Sequence, residues 1–228
     1  ALVLSTERSR GALSAVRSLR QSGWVVGVGT PRARGMLSSS RASSAVHLVP
    51  KPRGDARGFI SAVNRAIAVG RYDIVFGGAD DWMAALSAYR GDIDAPVAHP
   101  DFSVVSTALD KLELTGLAHS VGLAAPETRL ADEATMRRWR GPVVVKCRSH
   151  WTPGRMEDHR IEAKVFRDIA EARPRVQFIR AAGEEPLLQE PVRGQLGAII
   201  GVFHEGRLDA RVQQVTAGLW PTPSGVST

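Results

Sequence analysis

A chain of 228 residues, 43% hydrophobic and 23% charged, has the make-up of a soluble globular protein able to bury one large core or two small ones. No apolar run reaches the ~18–20 residues of a membrane helix, and the opening "ALVLSTERSR" lacks the basic start, apolar stretch and cleavage site of a secretory leader. The net charge of +7 comes from arginines scattered along the chain, without the basic face and interleaved aromatics of a nucleic-acid binder, so neither nucleic acid nor membrane is expected as a partner.

In chain order, "ALVL" reads as a short strand. A polar turn follows, then a helix in which Leu13, Val16 and Leu19 recur at helical spacing and Gly23 is placed to end it. "WVVGVG" is the next strand, which makes a strand–helix–strand opening of a parallel α/β sheet. A Ser-, Arg- and Gly-rich loop leads to a short strand near Val46–Val49. The helix after it presents Phe59, Ile60, Val63, Ala66 and Ile67 on one face. "YDIVFGG" is a clear strand, "ADDWMAALSAYR" a helix with Asp80 as its expected cap, and "PVAHP" a last short strand.

After His99-Pro100 the texture changes. "STALDKLELTGLAHSVGL" reads as one helix with Leu109, Leu112, Leu117 and Val121 as its apolar positions. An extended piece, "AAPETRL", precedes the helix "DEATMRRWR" and the strand "PVVVKC". The polar loop Ser149–His159 and the alternating "RIEAKVF" suggest a hairpin with a long mobile tip. A helix bent or interrupted at Pro174 follows, then the strand "PLLQE", a turn through Gly194, and a β-hairpin turning at residues 204–207. The last ten residues read as loop. The one cysteine, Cys147, excludes an internal disulfide and suits a reducing, cytoplasmic setting.

Several residues invite a chemical reading beside a plainer one. The first strand–turn–helix lacks G-x-G-x-x-G, which argues against a dinucleotide cofactor and a nicotinamide oxidoreductase. Gly77 and Gly78 end a strand where open α/β sheets bind ligands, so Gly77, Gly78, Asp80 and Asp81 are candidate substrate contacts; a tight strand-to-helix turn explains them equally. Lys111 alone is a solvated helix lysine. Lys146, one of four lysines against twenty-six arginines, alone snorkels from a sheet edge. Gln189-Glu190 alone closes a strand.

Taken in order, a helix "DK", a strand "VVVK" some thirty-five residues later, and an apolar strand running into "QE-x-x-x-G" resemble the ATP-grasp superfamily of carboxylate–amine ligases, including carbamoyl-phosphate-synthase-like members. The resemblance covers essentially the whole chain. It implies an α/β plus α+β architecture: a pre-ATP-grasp parallel α/β domain over residues 1–106, a first ATP-grasp subdomain over 107–185, and the start of a second, incomplete, over 186–228. It also implies that Lys111 and Lys146 contact ATP phosphates, since a lysine ammonium is a compact donor for single phosphate oxygens. Adenine would lie between two antiparallel sheets, beside Val144 or Val145 and Leu187 or Leu188, with its edge on Gln189, Glu190 and the backbone at Val192.

Where the family carries an acidic ribose contact, Gln195 stands after Gly194. The resemblance further puts Arg211 and Gln213 near the phosphates or an acyl phosphate, with Arg211 as the catalytic candidate. In "CRSHWTPGR", Arg148 and His150 either take part of the anion work of the family's glycine-rich loop or belong to a hairpin tip. Magnesium would be required, with its ligands expected beyond Thr228, so the chain as given is expected to be an inactive fragment. The implied partners are ATP and a small carboxylate, with a homodimer compatible. The alternative function is a non-catalytic nucleotide- or metabolite-binding module of the same fold.

Overall fold

The computed structural model describes residues 1–149, 151–153, 161–220 and 226–227. Two compact units divide them, Ala1–Glu190 and Pro191–Thr228.

In the first unit the strands β1 (Leu2–Leu4), β2 (Gly27–Thr30), β3 (Ala45–Leu48) and β4 (Val75–Gly77) form a parallel sheet in the order β3-β2-β1-β4. Helices α1 (Arg10–Gln21), α2 (Ala56–Gly70) and α3 (Asp80–Ala88) follow β1, β3 and β4. Side chains alternate across the sheet. Val3 and Val28 pack with Ala12 and Val16 of α1. Leu2 and Leu4 join Phe59, Val63 and Ile67 of α2 and Trp82 and Leu86 of α3. Each such aliphatic side chain contributes ~1.5–3 kcal/mol when fully buried.

The Ser9 hydroxyl caps α1 by accepting the Ala12 N–H at 3.2 Å, and Asp55 caps α2 through the Gly58 N–H at 2.8 Å. Gly23, at φ +88°, takes the left-handed conformation just past the end of α1. Asp80 is not the cap expected for α3. Ala79 holds that position with no side-chain bond, and Asp80 and Asp81 open the helix, where its dipole favours negative charge. "PVAHP" contributes a single parallel bridge, Val97 to Val75, its pairing curtailed by flanking prolines that donate no N–H.

The expected long helix over residues 106–123 is two, α4 (Phe102–Leu109) and α5 (Lys111–Ser120). Asp110 separates them in extended conformation, its carboxylate accepting the Leu112 and Glu113 N–H groups at 2.9 and 3.1 Å. The carboxylate therefore starts a new helix rather than continuing the old one. No residue of α5 is buried, and Leu117 and Val121, expected on an apolar face, are exposed.

The second sheet of this unit is antiparallel in the order β5-β8-β6-β7, formed by β5 (Thr128–Leu130), β6 (Val143–Cys147), β7 (Lys164–Phe166) and β8 (Pro186–Gln189). Helix α6 (Glu133–Arg138) follows β5, and α7 (Ile169–Ala181), capped by Asp168, contains Pro174 and is not interrupted by it. The pairing of β6 with β7 makes the expected hairpin. His150 and residues 154–160 of its loop lie outside the described residues.

In the second unit β9 (Gly197–His204) pairs antiparallel with β10 (Arg207–Val215). Glu205 and Gly206 turn the hairpin with φ of 51° and 76°, the positive pair that suits the twist of tight hairpins. A short ladder of β11 (Leu219–Trp220) with β12 (Val226–Ser227) stands in the stretch expected to be loop; residues 221–225 and 228 lie outside the described residues.

Candidate functional site

Strand β6 reads Val-Val-Val-Lys-Cys, and its period of two divides the residues between faces. Val143, Val145 and Cys147 enter a buried cluster with Leu188 of β8 and with Ala172, Val176 and Ile179 of α7. Val144 and Lys146 therefore take the opposite face. Lys146 sits opposite Leu187, Val144 opposite Gln189, and Gln189 opposite Thr128 of β5. Of the four apolar residues expected to flank adenine, only Val144 and Leu187 share the face of Lys146. Val145 and Leu188 belong to the core.

On that face the Lys146 Nζ donates to Gln189 Oε1 at 2.6 Å. Burial draws the Lys146 ammonium below its ordinary value of 10.5, because desolvation disfavours the charged form. Gln189 Nε2 donates in turn to Thr128 Oγ1 at 2.7 Å, and the Thr128 hydroxyl donates to the Pro126 carbonyl at 3.0 Å. Among the described residues no carboxylate pairs with Lys146, and the amine meets a neutral amide.

Helix α5 brings the second lysine. The backbone N–H and the Nζ of Lys111 both donate to the Arg148 carbonyl, at 3.1 and 3.2 Å. Arg148 lies two residues past Lys146, so the two lysines converge on the end of β6. The Arg148 side chain holds this arrangement. Its Nε meets Asp110 at 2.7 Å, one terminal nitrogen meets Glu185 at 3.1 Å, and the other meets Glu113 at 3.5 Å. The hydrogen bond to Asp110 pushes the guanidinium above its usual value. Arg148 is thus a clamp between α5, β6 and the start of β8, its donors turned to carboxylates, and not the anion ligand that the sequence suggested as one option. Thr115, one turn along α5, donates its hydroxyl to the Lys111 carbonyl at 2.7 Å and lies 3.5 Å from Thr128 Oγ1.

Glu190 follows β8, its N–H donating to the Glu127 carbonyl at 2.9 Å. It lines an open cavity of about 470 Å³ with Thr115, Gly116, His119 and Thr128, against the α5 side of the sheet. A larger cavity of about 650 Å³ also touches Glu190 but runs along Arg129, Arg138 and Trp139; neither Lys111 nor Lys146 lines either cavity.

A separate group stands at the carboxyl end of the parallel sheet. A Cβ on Gly77 would fall 2.6 Å from the Met83 nitrogen, and one on Gly78 would fall 2.7 Å from the Ala12 Cβ. Both glycines therefore have a packing reason: helices α3 and α1 crowd the turn. The Gly77 N–H donates to His99 Nε2 at 2.7 Å, which requires a neutral ring; burial, then the nearby Arg90, holds that imidazole below its ordinary 6.5. Asp81 accepts from Arg53 at 2.9 Å, the arginine side chain being 2% exposed. Asp80 is exposed.

Trp151 follows the β6 clamp. It is buried in the core of the parallel sheet, edge-on to Tyr89 and Phe102, with its indole N–H on the Pro52 carbonyl at 2.8 Å. This tryptophan falls in the stretch expected to be a mobile tip.

The structure thus gathers Lys111, Lys146 and Gln189 at the end of β6, with Glu190 directly after Gln189. It keeps Gly77, Gly78, Asp80 and Asp81 as another group. Val192 and Gln195 are exposed in the second unit, where Arg211 on β10 faces Gly201 across the ladder. Sequence reasoning missed Thr128, whose partner lies 61 residues away, and Asp110, for which Asp-Lys-Leu-Glu was a legible capping-box signal. Among the described residues no group of three or more His, Cys, Asp or Glu could hold a metal ion.

Solved structures share this architecture. An L-amino acid ligase from Bacillus licheniformis superposes with a TM-score of 0.65 at 13% identity, over 91% of this chain and 48% of that one. N5-carboxyaminoimidazole synthetase from Staphylococcus aureus, complexed with ADP, superposes at 0.65 and 10% identity, over 95% of this chain and 54% of that one. Phosphoribosylglycinamide synthetase from Anaerococcus prevotii gives 0.54 and 11%, over 93% and 50%.

The chain has the ATP-grasp fold.

It spans about half the length of these ATP-grasp structures. Neither a protein-family model nor a curated protein matches the sequence. Among the described residues, no helix of this ATP-grasp chain is long and apolar enough to cross a membrane.

Proposed function

We propose that this chain holds ATP for a cytoplasmic ligase that activates a small carboxylate. In the reaction, a carboxylate oxygen attacks the γ-phosphorus of ATP and the bond to the bridging oxygen breaks, giving an acyl phosphate and ADP. An amine then attacks the acyl carbon, phosphate leaves with the bonding electrons, and the nitrogen gives up a proton.

The observation that carries this reading is the environment of Lys146. Its ammonium is partly desolvated, fixed at a strand end, and paired with a neutral amide, which suits it to a polyanion. Lys111, tied to the Arg148 carbonyl at the same strand end, supplies the second cation. Gln189 and Glu190 border the nucleotide, and the cavity beside Glu190 and Thr115 has room for part of it.

The roles suggested by the resemblance complete the proposal. Val192 and Gln195 serve as further nucleotide contacts, Arg211 sits at the acyl phosphate, and Gly77, Gly78, Asp80 and Asp81 form a wall for the carboxylate substrate. Residues 1–106 act as the pre-ATP-grasp domain, residues 107–185 as the first ATP-grasp subdomain and residues 186–228 as the incomplete start of the second, and the assembly is a homodimer. Magnesium bound with the nucleotide would neutralise charge developing on the phosphates.

Equilibrium binding by calorimetry tests the proposal. ATP gives a saturable isotherm with the full chain and NAD⁺ gives none. Binding of NAD⁺ without binding of ATP overturns it.

A further inference from the structure

We propose that Thr128 is a positioning residue for Lys146, acting through Gln189 as the fixed end of a one-way hydrogen-bond chain. The inference rests on the reading of Lys146 as a phosphate contact and names what aims that contact.

A glutamine amide has two ends of similar shape and opposite hydrogen-bonding character, one acceptor oxygen and one NH₂ donor. Packing alone distinguishes them poorly. Lys146 can only donate, so it requires Oε1, which stands 2.6 Å from Nζ. The opposite end must then present Nε2 to an acceptor, and Thr128 Oγ1 is that acceptor at 2.7 Å.

A hydroxyl accepts or donates as its hydrogen rotates, so Thr128 would not fix the amide unless its own hydrogen were committed. It is committed. The Thr128 hydroxyl donates to the Pro126 carbonyl at 3.0 Å, and a carbonyl cannot donate back. The neighbouring Thr115 hydroxyl spends its hydrogen on the Lys111 carbonyl at 2.7 Å. The direction therefore runs Lys146 to Gln189 to Thr128 to Pro126, each bond polarising the next.

Register supports the same conclusion. Gln189 lies opposite both Val144 and Thr128, so β8 bridges the lysine's strand and the threonine's strand on one face. The backbone of β5, β8 and β6 thus transmits the rigid Pro126 carbonyl to a mobile lysine tip. A flipped Gln189 would set Nε2 against the ammonium, donor against donor. Without the threonine oxygen, only the ammonium itself opposes that flip, and the amide loses its second anchor.

The test uses the full chain with Thr128→Val, which keeps the side-chain shape and removes the hydroxyl, and with Thr128→Ser, which restores it. Nuclear magnetic resonance of the Gln189 side-chain amide is the first readout. One NH₂ proton shifted by its hydrogen bond and protected from exchange is expected in the original chain and in Thr128→Ser, and loss of that shift and protection in Thr128→Val.

The second readout is ATP affinity. Thr128→Val weakens it by up to about tenfold, the upper end for one hydrogen bond between neutral groups, while Thr128→Ser stays within about twofold. In a Gln189→Leu background, Thr128→Val has no further effect, because the chain is already cut. Should Thr128→Val fail to fold, Thr128→Ala carries the same comparisons.

An unchanged Gln189 amide signature in Thr128→Val, or additive losses in the double variant, overturns the inference. If Lys146→Ala weakens ATP binding and Thr128→Val does not, the positioning role falls while the phosphate contact stands. If Lys146→Ala leaves ATP binding intact, the phosphate contact falls, and the amide signature alone decides whether Thr128 orients Gln189.

Discussion

The two faces of β6 are held by different forces, although the residues on them alternate along one strand. Val143 and Val145 pack with Leu188, Val176 and Ile179 beneath α7, and this contact is apolar and fully buried. Lys146, one residue along, belongs to a face where Gln189, Thr128, Thr115 and α5 meet through hydrogen bonds, and where α5 buries no residue of its own. Apolar burial is non-directional and supplies most of the folding energy. Directed bonds contribute little net stability each but fix where a charge sits. The strand thus separates stability from placement, and substitutions on its two faces should fail in different assays.

The largest effect is expected on the dry face. Leu188→Ala should lower the unfolding free energy by about 2–5 kcal/mol, the range for deleting a buried leucine, read from urea denaturation. ATP affinity per folded molecule should hardly change, and a large affinity loss with intact stability would erase the distinction between the faces.

The clamp comes next, because Arg148 joins the two regions. Its bond to Asp110 is mostly buried, with side-chain exposures of 27% and 18%, whereas Glu113 and Glu185 are well exposed and add little. Arg148→Ala should cost about 1–2 kcal/mol of stability and also weaken ATP binding, since α5 would no longer hold Lys111 at the strand end. A loss of stability with unaltered ATP affinity would show that Lys111 needs no clamp.

A smaller effect should come from pH at the parallel sheet. His99 and His47 both have folded values below the ordinary 6.5, so the unfolded chain takes up protons first as the pH falls. Stability is then fully present above about pH 6.5 and is lost as pH falls from there toward the folded values. His99→Gln should flatten part of this slope in denaturation curves taken between pH 7 and 5. An unchanged slope would mean that burial and Arg90 do not lower the His99 imidazole in solution. The smallest expected signal is turnover: the proposed reaction needs a carboxylate to attack the γ-phosphorus, so with ATP alone the chain should release phosphate no faster than a buffer blank, and clear release would mean that water takes the carboxylate's place.

Much of this organisation was legible because burial and period coincide. The alternation in "VVVK" and the helical spacing of Phe59, Val63 and Ile67 state which face is covered. The order of Lys111, Lys146 and Gln189-Glu190 pointed to the ATP-grasp fold. The break at Asp110 was hidden by Leu109 and Leu112, which continue an apolar rhythm across it, although the carboxylate's preference for capping was written in the next three residues. Trp151 and Thr128 were out of reach for another reason. Their partners lie 99 and 61 residues away, and local spacing carries no information about such contacts. The role of Arg148 stayed open in the sequence, between anion contact and hairpin tip, because only the fold brings Asp110, Glu113 and Glu185 to it.

The most direct test of the placement role is thermal protection by ATP in the full chain and in Lys146→Ala. A ligand that binds only the folded state raises the unfolding temperature by an amount that grows with the logarithm of its concentration over Kd. ATP should raise the midpoint of the original chain, and Lys146→Ala should unfold near the same temperature without ligand but lose the protection. Equal protection in both proteins would contradict the assignment of Lys146 to the nucleotide.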